Sequence, residues 1–160
     1  MEFQHELVIP DEGLPFKFFL FEGSQGNYVR EKHWHTSIEI FAVMEGSLTF
    51  YLNDEKHPLK AGELMIINSN EVHSIDSPEE NHTAVLQIPL KQFEDYFTAH
   101  RFIRFAANEQ ETDSQLWRLI REMYKLYGKR GTGYEFKIRS FYQMNGLAII
   151  KGEMYHVISF

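Results

Sequence analysis

The sequence predicts a mostly β domain, a barrel or sandwich of short strands, followed by a helical C-terminal part. Between about residue 5 and residue 90, short apolar runs are separated by turn residues, which is typical of all-β architectures. After Pro89 the apolar residues recur at helical spacing instead. A chain of 160 residues is long enough to bury a core of its own within one domain.

Five segments of the first part are predicted strands. They are rich in the aromatic and β-branched residues that fit a pleated sheet, and they are Phe16–Glu22, Ile38–Met44, Ser47–Asn53, Glu63–Asn68 and Thr83–Ile88. Tight turns are predicted at Glu45-Gly46, Asn53-Asp54-Glu55 and Lys60-Ala61-Gly62. We interpret the aromatic residues of the first strand as core rather than as a platform on which a ligand stacks.

The C-terminal part is predicted to contain three helices. A short one covers Leu90–Phe97. The second begins at Thr112, where Thr112 and Gln115 have the spacing of a capping box, and it stops at Gly128. The last covers roughly Tyr134–Tyr155, and its apolar residues lie on more than one face. Such a helix needs two partners. One is the barrel or the preceding helix, and the other is a second subunit unless both faces belong to one core.

The charge and composition argue against several classes of protein. The formal net charge of −7 argues against a nucleic-acid-binding surface, which is normally basic. Because the chain has no cysteine, disulfides and thiolate metal sites are excluded. No apolar run approaches the roughly 20 residues of a membrane span, and the N-terminus lacks the pattern of a secretory signal. We therefore expect a cytoplasmic protein that does not contact a membrane.

Two histidines and a glutamate in the segment HWHTSIEIFAVMEG carry the strongest functional signal. His33, His35 and Glu39 have the same parity, so a strand running regularly through them would point all three to one face, which Phe41 continues. His73, just after a turn, could supply a fourth ligand. Three imidazoles and a carboxylate suit Zn, Ni, Mn or Fe. The segment therefore predicts a pocket that is competent to bind a transition metal.

The spacing of these residues resembles the two sequence motifs of cupins. The first motif is matched, with one extra residue before its first histidine, by Gly26, His33, His35, Glu39 and Gly46. The second is matched in part by Gly62 and His73, whereas Asn68, Asn70 and Ser77 replace the usual Pro, Gly and Asn. The resemblance implies a cupin barrel, that is, a double-stranded β-helix or jelly roll. It also implies that the potential metal ligands are His33, His35, Glu39 and His73.

A narrower resemblance covers nearly the whole chain and is strongest over residues 33–74. This segment is similar to the N-terminal sensor domain of AraC-type transcription regulators, especially those of low-GC Gram-positive bacteria, in which the turn Asn68–Ser74 is typical. The resemblance implies a barrel over residues 1–98 that binds a small effector, and a helical dimerisation appendage over residues 99–160. It also implies that DNA is bound only by a downstream helix-turn-helix domain, which we expect to lie outside this chain.

A sugar is the expected effector, because apolar walls with a few polar groups suit its C–H faces and hydroxyls. The candidate contacts are His33, His35, Glu39, Phe41, His73 and, as a weaker one, His82. Trp34 has the opposite parity to its neighbours and is predicted to pack outside the barrel. No cofactor is required for sensing, although a transition metal could occupy the histidines. A third interpretation keeps these histidines as purely structural groups.

Two other classes of function stay open. A metal-dependent cupin enzyme, an isomerase or an oxygenase, would use the same His33, His35, Glu39 and His73 as its active site. No additional acid or base stands out in the sequence, and the helical tail is unusual for a cupin that works alone. The other class is a dimerisation module whose barrel is filled by its own side chains. An effector-sensing domain that is not an enzyme is the function that the sequence favours.

Overall fold

A curled eight-stranded sheet and two helices make up most of the structure. The computed structural model describes residues 3–23, 28–96, 101–105, 115–151 and 155–159. The strands of the sheet are β1 (Gln4–His5), β2 (Lys17–Gly23), β3 (Tyr28–Trp34), β4 (Ile38–Leu52), β5 (Glu55–Lys60), β6 (Leu64–Ile67), β7 (His73–Ser77) and β8 (Asn81–Ile88). They are followed by a short 3-10 helix (Leu90–Tyr96), β9 (Arg101–Phe105), α1 (Gln115–Tyr127), α2 (Tyr134–Lys151) and β10 (Tyr155–Ser159). The predicted mostly β fold with C-terminal helices is confirmed.

Strand β4 joins the two halves of the curled sheet. Its first half pairs with β8 and β6, and its second half, from Ser47 onward, pairs with β5 and β7. The register with β8 shifts between Val43 and Glu45, and Gly46 has a φ of 74°. A bulge of this kind bends a strand and increases its twist, so β4 passes from one half to the other without a turn. The predicted hairpin at Glu45-Gly46 is therefore wrong.

The other two predicted turns are confirmed. Asn53 and Asp54 connect β4 to β5 with φ values of 49° and 69°, and positive φ at both central residues is what a two-residue hairpin of type I′ requires. At the next reversal the Glu63 amide donates to the Lys60 carbonyl at 3.0 Å, and Gly62 has a φ of 89°. This second turn leads the chain from β5 into β6.

The half of the sheet that contains β2, β6, β8 and the start of β4 is buried on both faces. Its inner face shares a core with residues of the opposite half, and this core consists of Phe41, Val43, Leu48, Phe50, Leu59, Met65, Ile67, Ile75 and Val85. Its outer face packs against the helices through a second cluster that includes Phe16, Phe18, Ile40, Leu86, Leu116, Ile120, Met123, Ile138 and Tyr142. Because both faces are buried, these strands are nearly continuous in apolar residues.

The helices agree with the predicted positions except at the C-terminal end. Helix α1 ends at Tyr127, directly before Gly128, as predicted, and Thr112 lies outside the described residues. Helix α2 begins at Tyr134 as predicted, but Tyr155–Ser159 is not helical and pairs as β10 with β9 in an antiparallel sheet. The aromatic and β-branched residues of β10 favour a strand. Among the described helices, none is long and apolar enough to span a membrane.

Candidate functional site

The four residues predicted as metal ligands meet at one end of the barrel interior. His33 lies in β3 and pairs in register with His73 of β7, and the two ring centroids are 4.2 Å apart. His35 lies in the connection after β3, and Glu39 lies in β4. No regular strand runs through these residues, because residues 35–37 separate β3 from β4. All four side chains are nevertheless buried together.

Each of the three imidazoles is oriented by a backbone carbonyl. The Nδ1 atoms of His33, His35 and His73 lie 2.9, 3.0 and 2.9 Å from the carbonyl oxygens of Glu31, Ser37 and Glu71. A carbonyl only accepts hydrogen bonds, so each Nδ1 carries a hydrogen and donates it. In the neutral rings this leaves every Nε2 with a free lone pair. Metal-binding histidines are usually held in the same way.

The Nε2 side of these rings faces a shared space beside Glu39. One nitrogen from each of His33, His35 and His73 lies within 4.8 Å of the others. Glu39 Oε2 is 3.1 Å from His35 Nε2, to which it is hydrogen-bonded. The same oxygen is 3.2 Å from His73 Nε2, but without the angle of a hydrogen bond, and that nitrogen has no other partner among the described residues. A carboxylate next to these nitrogens requires a proton or a metal cation between them.

The charges of the rings and the carboxylate stabilise one another. Burial alone would raise the pKa of Glu39, but the contacts with His35 and His73 and the charges of both rings hold it well below its usual range. Burial alone would lower the pKa of His35, but the hydrogen bond and charge of Glu39 outweigh it and raise that pKa. Without a metal, the contact therefore favours the ionised form of Glu39 and the protonated form of His35.

The residues present fit a transition metal. Three imidazole nitrogens whose other ring nitrogens are already engaged, together with an adjacent carboxylate oxygen, form the donor set that Zn, Ni, Mn or Fe prefers. His33, His35 and His73 would hold the ion with Glu39 beside them. A bound ion would supply Lewis-acid chemistry to a ligand in the barrel.

The site opens into a cavity of about 180 Å³ inside the barrel. Its wall is formed by Glu6, Lys17, Phe19, Phe21, Arg30, His33, Glu39, Phe41, Ile75 and Gln87. One water needs roughly 15 Å³ by the same measure, so the cavity has room for a small organic molecule.

A polar row and an apolar row run side by side across the cavity wall. Lys17 of β2 is the cross-strand partner of Gln87 of β8, and Gln87 is the partner of Glu39 of β4. Gln87 Nε2 donates to Glu39 Oε1 at 2.6 Å. Two residues further along the strands, Phe19, Val85 and Phe41 are paired in the same way. The wall therefore offers hydrogen-bonding groups next to an aromatic surface.

Of the predicted ligand contacts, the cavity wall contains His33, Glu39 and Phe41 but not His35, His73 or His82. His82 has the parity of Ala84 and Leu86, which face the helices, and its Nδ1 lies 3.6 Å from Glu22 Oε1 near the surface. The structure does not bring His82 together with the other candidates. The Trp34 ring lies tilted against His5, with ring centroids 4.3 Å apart, and Trp34 is not part of the cavity wall.

Several cavity residues were missed by the sequence reasoning. Phe19 and Phe21 line the cavity while Phe16 and Phe18 are core, so the interpretation of the whole segment as core holds for one face only. Strand parity puts Lys17, Phe19 and Phe21 on one face and could have found them. No local signal identifies Glu6, which reaches His33 because β1 pairs with β3.

Glu6 binds the outer side of the histidine cluster. Its Oε2 is 3.2 Å from both His33 Nε2 and Arg30 Nη2. The hydrogen bond with His33, helped by the charge of Arg30, outweighs the effect of burial and lowers the pKa of Glu6 to about 2. Glu6 is therefore a carboxylate whose charge is already compensated within the site.

The turn before His73 lacks the usual proline and glycine, and it is held instead by hydrogen bonds of two asparagines. Asn70 has a φ of 66°, which asparagine tolerates better than most residues, and its amide donates to the His35 carbonyl at 2.8 Å. The Asn68 side chain donates to the Phe105 carbonyl at 2.8 Å and accepts from the Phe105 amide at 2.7 Å. The turn is thus held both to the histidine segment and to β9.

Comparisons with known proteins give several similar structures and one matching family. A search of curated proteins gives no match. Among solved structures, the chain is similar to the EutQ protein of Clostridium difficile, with 18% identity over 46% of this chain and 56% of that one and a TM-score of 0.40. A cupin-2 domain containing protein from Shewanella frigidimarina is 28% identical over 50% of this chain and 76% of that one, with a TM-score of 0.41.

A third similar structure is oxalate decarboxylase of Bacillus subtilis, with 21% identity over 49% of this chain and 22% of that one and a TM-score of 0.43. The chain thus spans about half of the EutQ protein and about a fifth of the decarboxylase. Residues 15–140 match the model of one protein family, described as the AraC-like ligand binding domain. That match extends over most of the barrel and into α2, and the chain belongs to the family of AraC-like ligand-binding domains.

Proposed function

We propose that this domain senses a small carbohydrate or a related hydroxylated metabolite in its barrel cavity. The observation that carries the proposal is the cavity wall, in which the polar row Lys17, Gln87 and Glu39 runs beside the aromatic rings Phe19 and Phe41. A sugar has the matching chemistry, because its hydroxyls bond to polar groups while its C–H surface packs on rings. Family membership supports the sensing role.

Calorimetry against a panel of sugars tests this proposal. Replacing Glu39 by alanine should weaken binding by roughly 1–3 kcal/mol if its carboxylate accepts hydroxyl protons in the cavity, and His73→Ala should also weaken it. His73 lies 3.2 Å from Glu39 and is expected to act through it. His82→Ala is the matched control, since His82 lies near the surface beside Glu22 and outside the cavity wall. A sugar whose affinity is unchanged by both Glu39→Ala and His73→Ala would remove these residues from the binding site.

We further propose that the domain works as a homodimer in the cytoplasm, with DNA bound by a downstream domain. Helix α2 buries Ile138 and Tyr142 against the rest of the protein, whereas Phe136 is 83% exposed and Met144 is 44% exposed. Exposed apolar residues on one helix favour a contact between subunits. Sedimentation at micromolar concentration is the test. A monomer in wild type contradicts the proposal, and a dimer that Phe136→Ser dissociates supports it.

A second candidate function, a metal-dependent cupin enzyme, is favoured by the cluster of His33, His35 and His73 nitrogens within 4.8 Å. Elemental analysis of protein purified without an affinity tag separates the two candidates. The sensor proposal expects partial occupancy that falls at acid pH, because protonated imidazoles cannot bind metal. If one metal ion per chain remains bound after dialysis against a chelator, the result would favour the metal-dependent enzyme over the sensor.

A further inference from the structure

The charged groups of the cavity wall are compensated with one exception. Glu6 is paired with Arg30 and His33, and Glu39 is paired with His35 and hydrogen-bonded by Gln87. Lys17 forms no ion pair with any carboxylate in the described part of the chain. Its Nζ instead lies 5.1 Å from the centroid of the Phe19 ring, which also lines the cavity. Among the described residues, the positive charge of Lys17 therefore has no carboxylate as its partner.

The residue opposite Lys17 has an unused hydrogen-bond acceptor. Gln87 is 1% exposed, and its Oε1 has no partner among the described residues. The orientation of this amide follows from Glu39, because a carboxylate accepts only and the Gln87 nitrogen must face it. A buried acceptor without a donor costs free energy, and a ligand hydroxyl could supply that donor. Lys17 and Gln87 are direct cross-strand partners, so one small molecule can reach both.

From this juxtaposition we propose that the ligand is a hydroxylated carboxylic acid of sugar size, such as a sugar acid. Its carboxylate binds Lys17, a neighbouring hydroxyl donates to Gln87 Oε1, and its C–H face packs on Phe19 and Phe41. The inference rests on the proposed function of the same cavity and narrows its ligand from carbohydrates in general to acidic ones.

A monoanionic carboxylate fits this wall better than a phosphate does. A phosphate carries up to two charges and is best bound by several donors or by a free arginine. Among the described residues, the wall contains one arginine, Arg30, which is already paired with Glu6. The carboxylates of Glu6 and Glu39 would also repel a dianion more strongly than a monoanion. The single unpaired lysine matches a single negative charge.

Titration calorimetry with matched pairs of probes tests the inference. The pairs are galacturonate with galactose and glucuronate with glucose, and a hexose phosphate is the third kind of probe. We expect one acid to bind at least about tenfold more tightly than its neutral partner, as an added charged hydrogen bond implies. In Lys17→Met this preference should disappear, so that the acid and its neutral partner bind with affinities within about twofold of each other.

Two further variants distinguish the loss of the Lys17 charge from a general effect of substitution on folding. Lys17→Arg retains the cation and should retain the preference for the acid, and Lys56→Met removes an exposed lysine on β5 and should change nothing. Equal binding of acid and neutral sugar, tighter binding of the hexose phosphate, or acid binding unaffected by Lys17→Met would overturn the inference while the proposed function stands. If no acid or sugar binds, both are overturned.

Discussion

At the scale of single residues, Asn68 links the histidine site to β9, which lies outside the eight-stranded sheet. Its buried amide forms two hydrogen bonds with the backbone of Phe105, in the way that a neighbouring strand would. The Glu71 carboxylate of the same turn accepts a hydrogen bond from the Asn68 backbone amide at 2.8 Å, and it forms an ion pair with Arg104 at 2.6 Å. The turn that positions His73 is therefore fixed to β9 by side chains rather than by a proline.

We predict that Asn68→Ala lowers the free energy of unfolding by about 2–3 kcal/mol, because it leaves two buried backbone groups of Phe105 without partners. Ser69→Ala is the adjacent control and should be nearly neutral, since the buried Ser69 hydroxyl has no hydrogen-bond partner among the described residues. Urea denaturation of the two variants measures the difference. Equal losses would mean that the Asn68 hydrogen bonds do not stabilise the turn.

The alternation of residues along a strand predicted part of this site. The residues that it did not predict are placed by pairing between strands that are distant in the sequence. His33, His35, Glu39 and His73 meet in the structure although the strand is broken at residues 35–37. Gln87 and Glu6 were not foreseen, because their positions depend on the register of β8 with β4 and of β1 with β3. Strand register depends on which face is buried and on turn geometry, and for strands far apart in the chain the local spacing of residues does not reveal it.

At the scale of secondary-structure elements, the bend of β4 determines the shape of the barrel. The strand contributes Glu39 and Phe41 to the inner face of one half and Leu48 and Phe50 to the other half. The sequence predicted two strands here, because Glu45-Gly46 has the composition of a hairpin turn. The glycine is required, but it serves a bulge in a continuous strand.

We predict that Gly46→Ala destabilises the protein by about 3 kcal/mol or more, because strain from positive φ adds to a steric clash. A Cβ at this position would lie 2.1 Å from the Glu80 carbonyl oxygen. Gly133→Ala is the matched control, with a φ of 76° but nothing within 4 Å of its Cβ, and should cost only about 1–2 kcal/mol. Similar denaturation midpoints for the two variants would contradict the close approach of β4 to Glu80.

At the scale of the whole molecule, the helices and the barrel share one hydrophobic cluster. Tyr142 of α2 stacks on Phe16, with ring centroids 4.3 Å apart. The spacing of apolar residues predicted α1 and α2, and it left open whether α2 packs on the barrel or on α1. It did not predict the β9–β10 sheet, because the pairing of these two short segments is non-local.

The packing of Tyr142 predicts a loss of stability at alkaline pH. Burial raises the pKa of Tyr142 from 10.0 to about 12. The unfolded chain therefore loses this proton at lower pH than the folded protein, and the stabilisation from the neutral phenol is lost as pH rises from 10 to about 12. The melting temperature of Tyr142→Phe should fall less between pH 10 and about 12 than that of the wild-type protein. Parallel curves would show that Tyr142 does not titrate differently in the two states.

The role of the cavity is tested most directly by NMR of the isotope-labelled domain during titration with the tightest-binding sugar or sugar acid. We predict that the side-chain amide of Gln87 and the backbone amides of Phe19, Phe41 and His73 shift together and saturate with the calorimetric affinity. The separate groove lined by Lys32, Tyr51 and Asp54 should show no change. Shifts confined to that groove, with Gln87 unmoved at saturation, would contradict ligand binding inside the barrel.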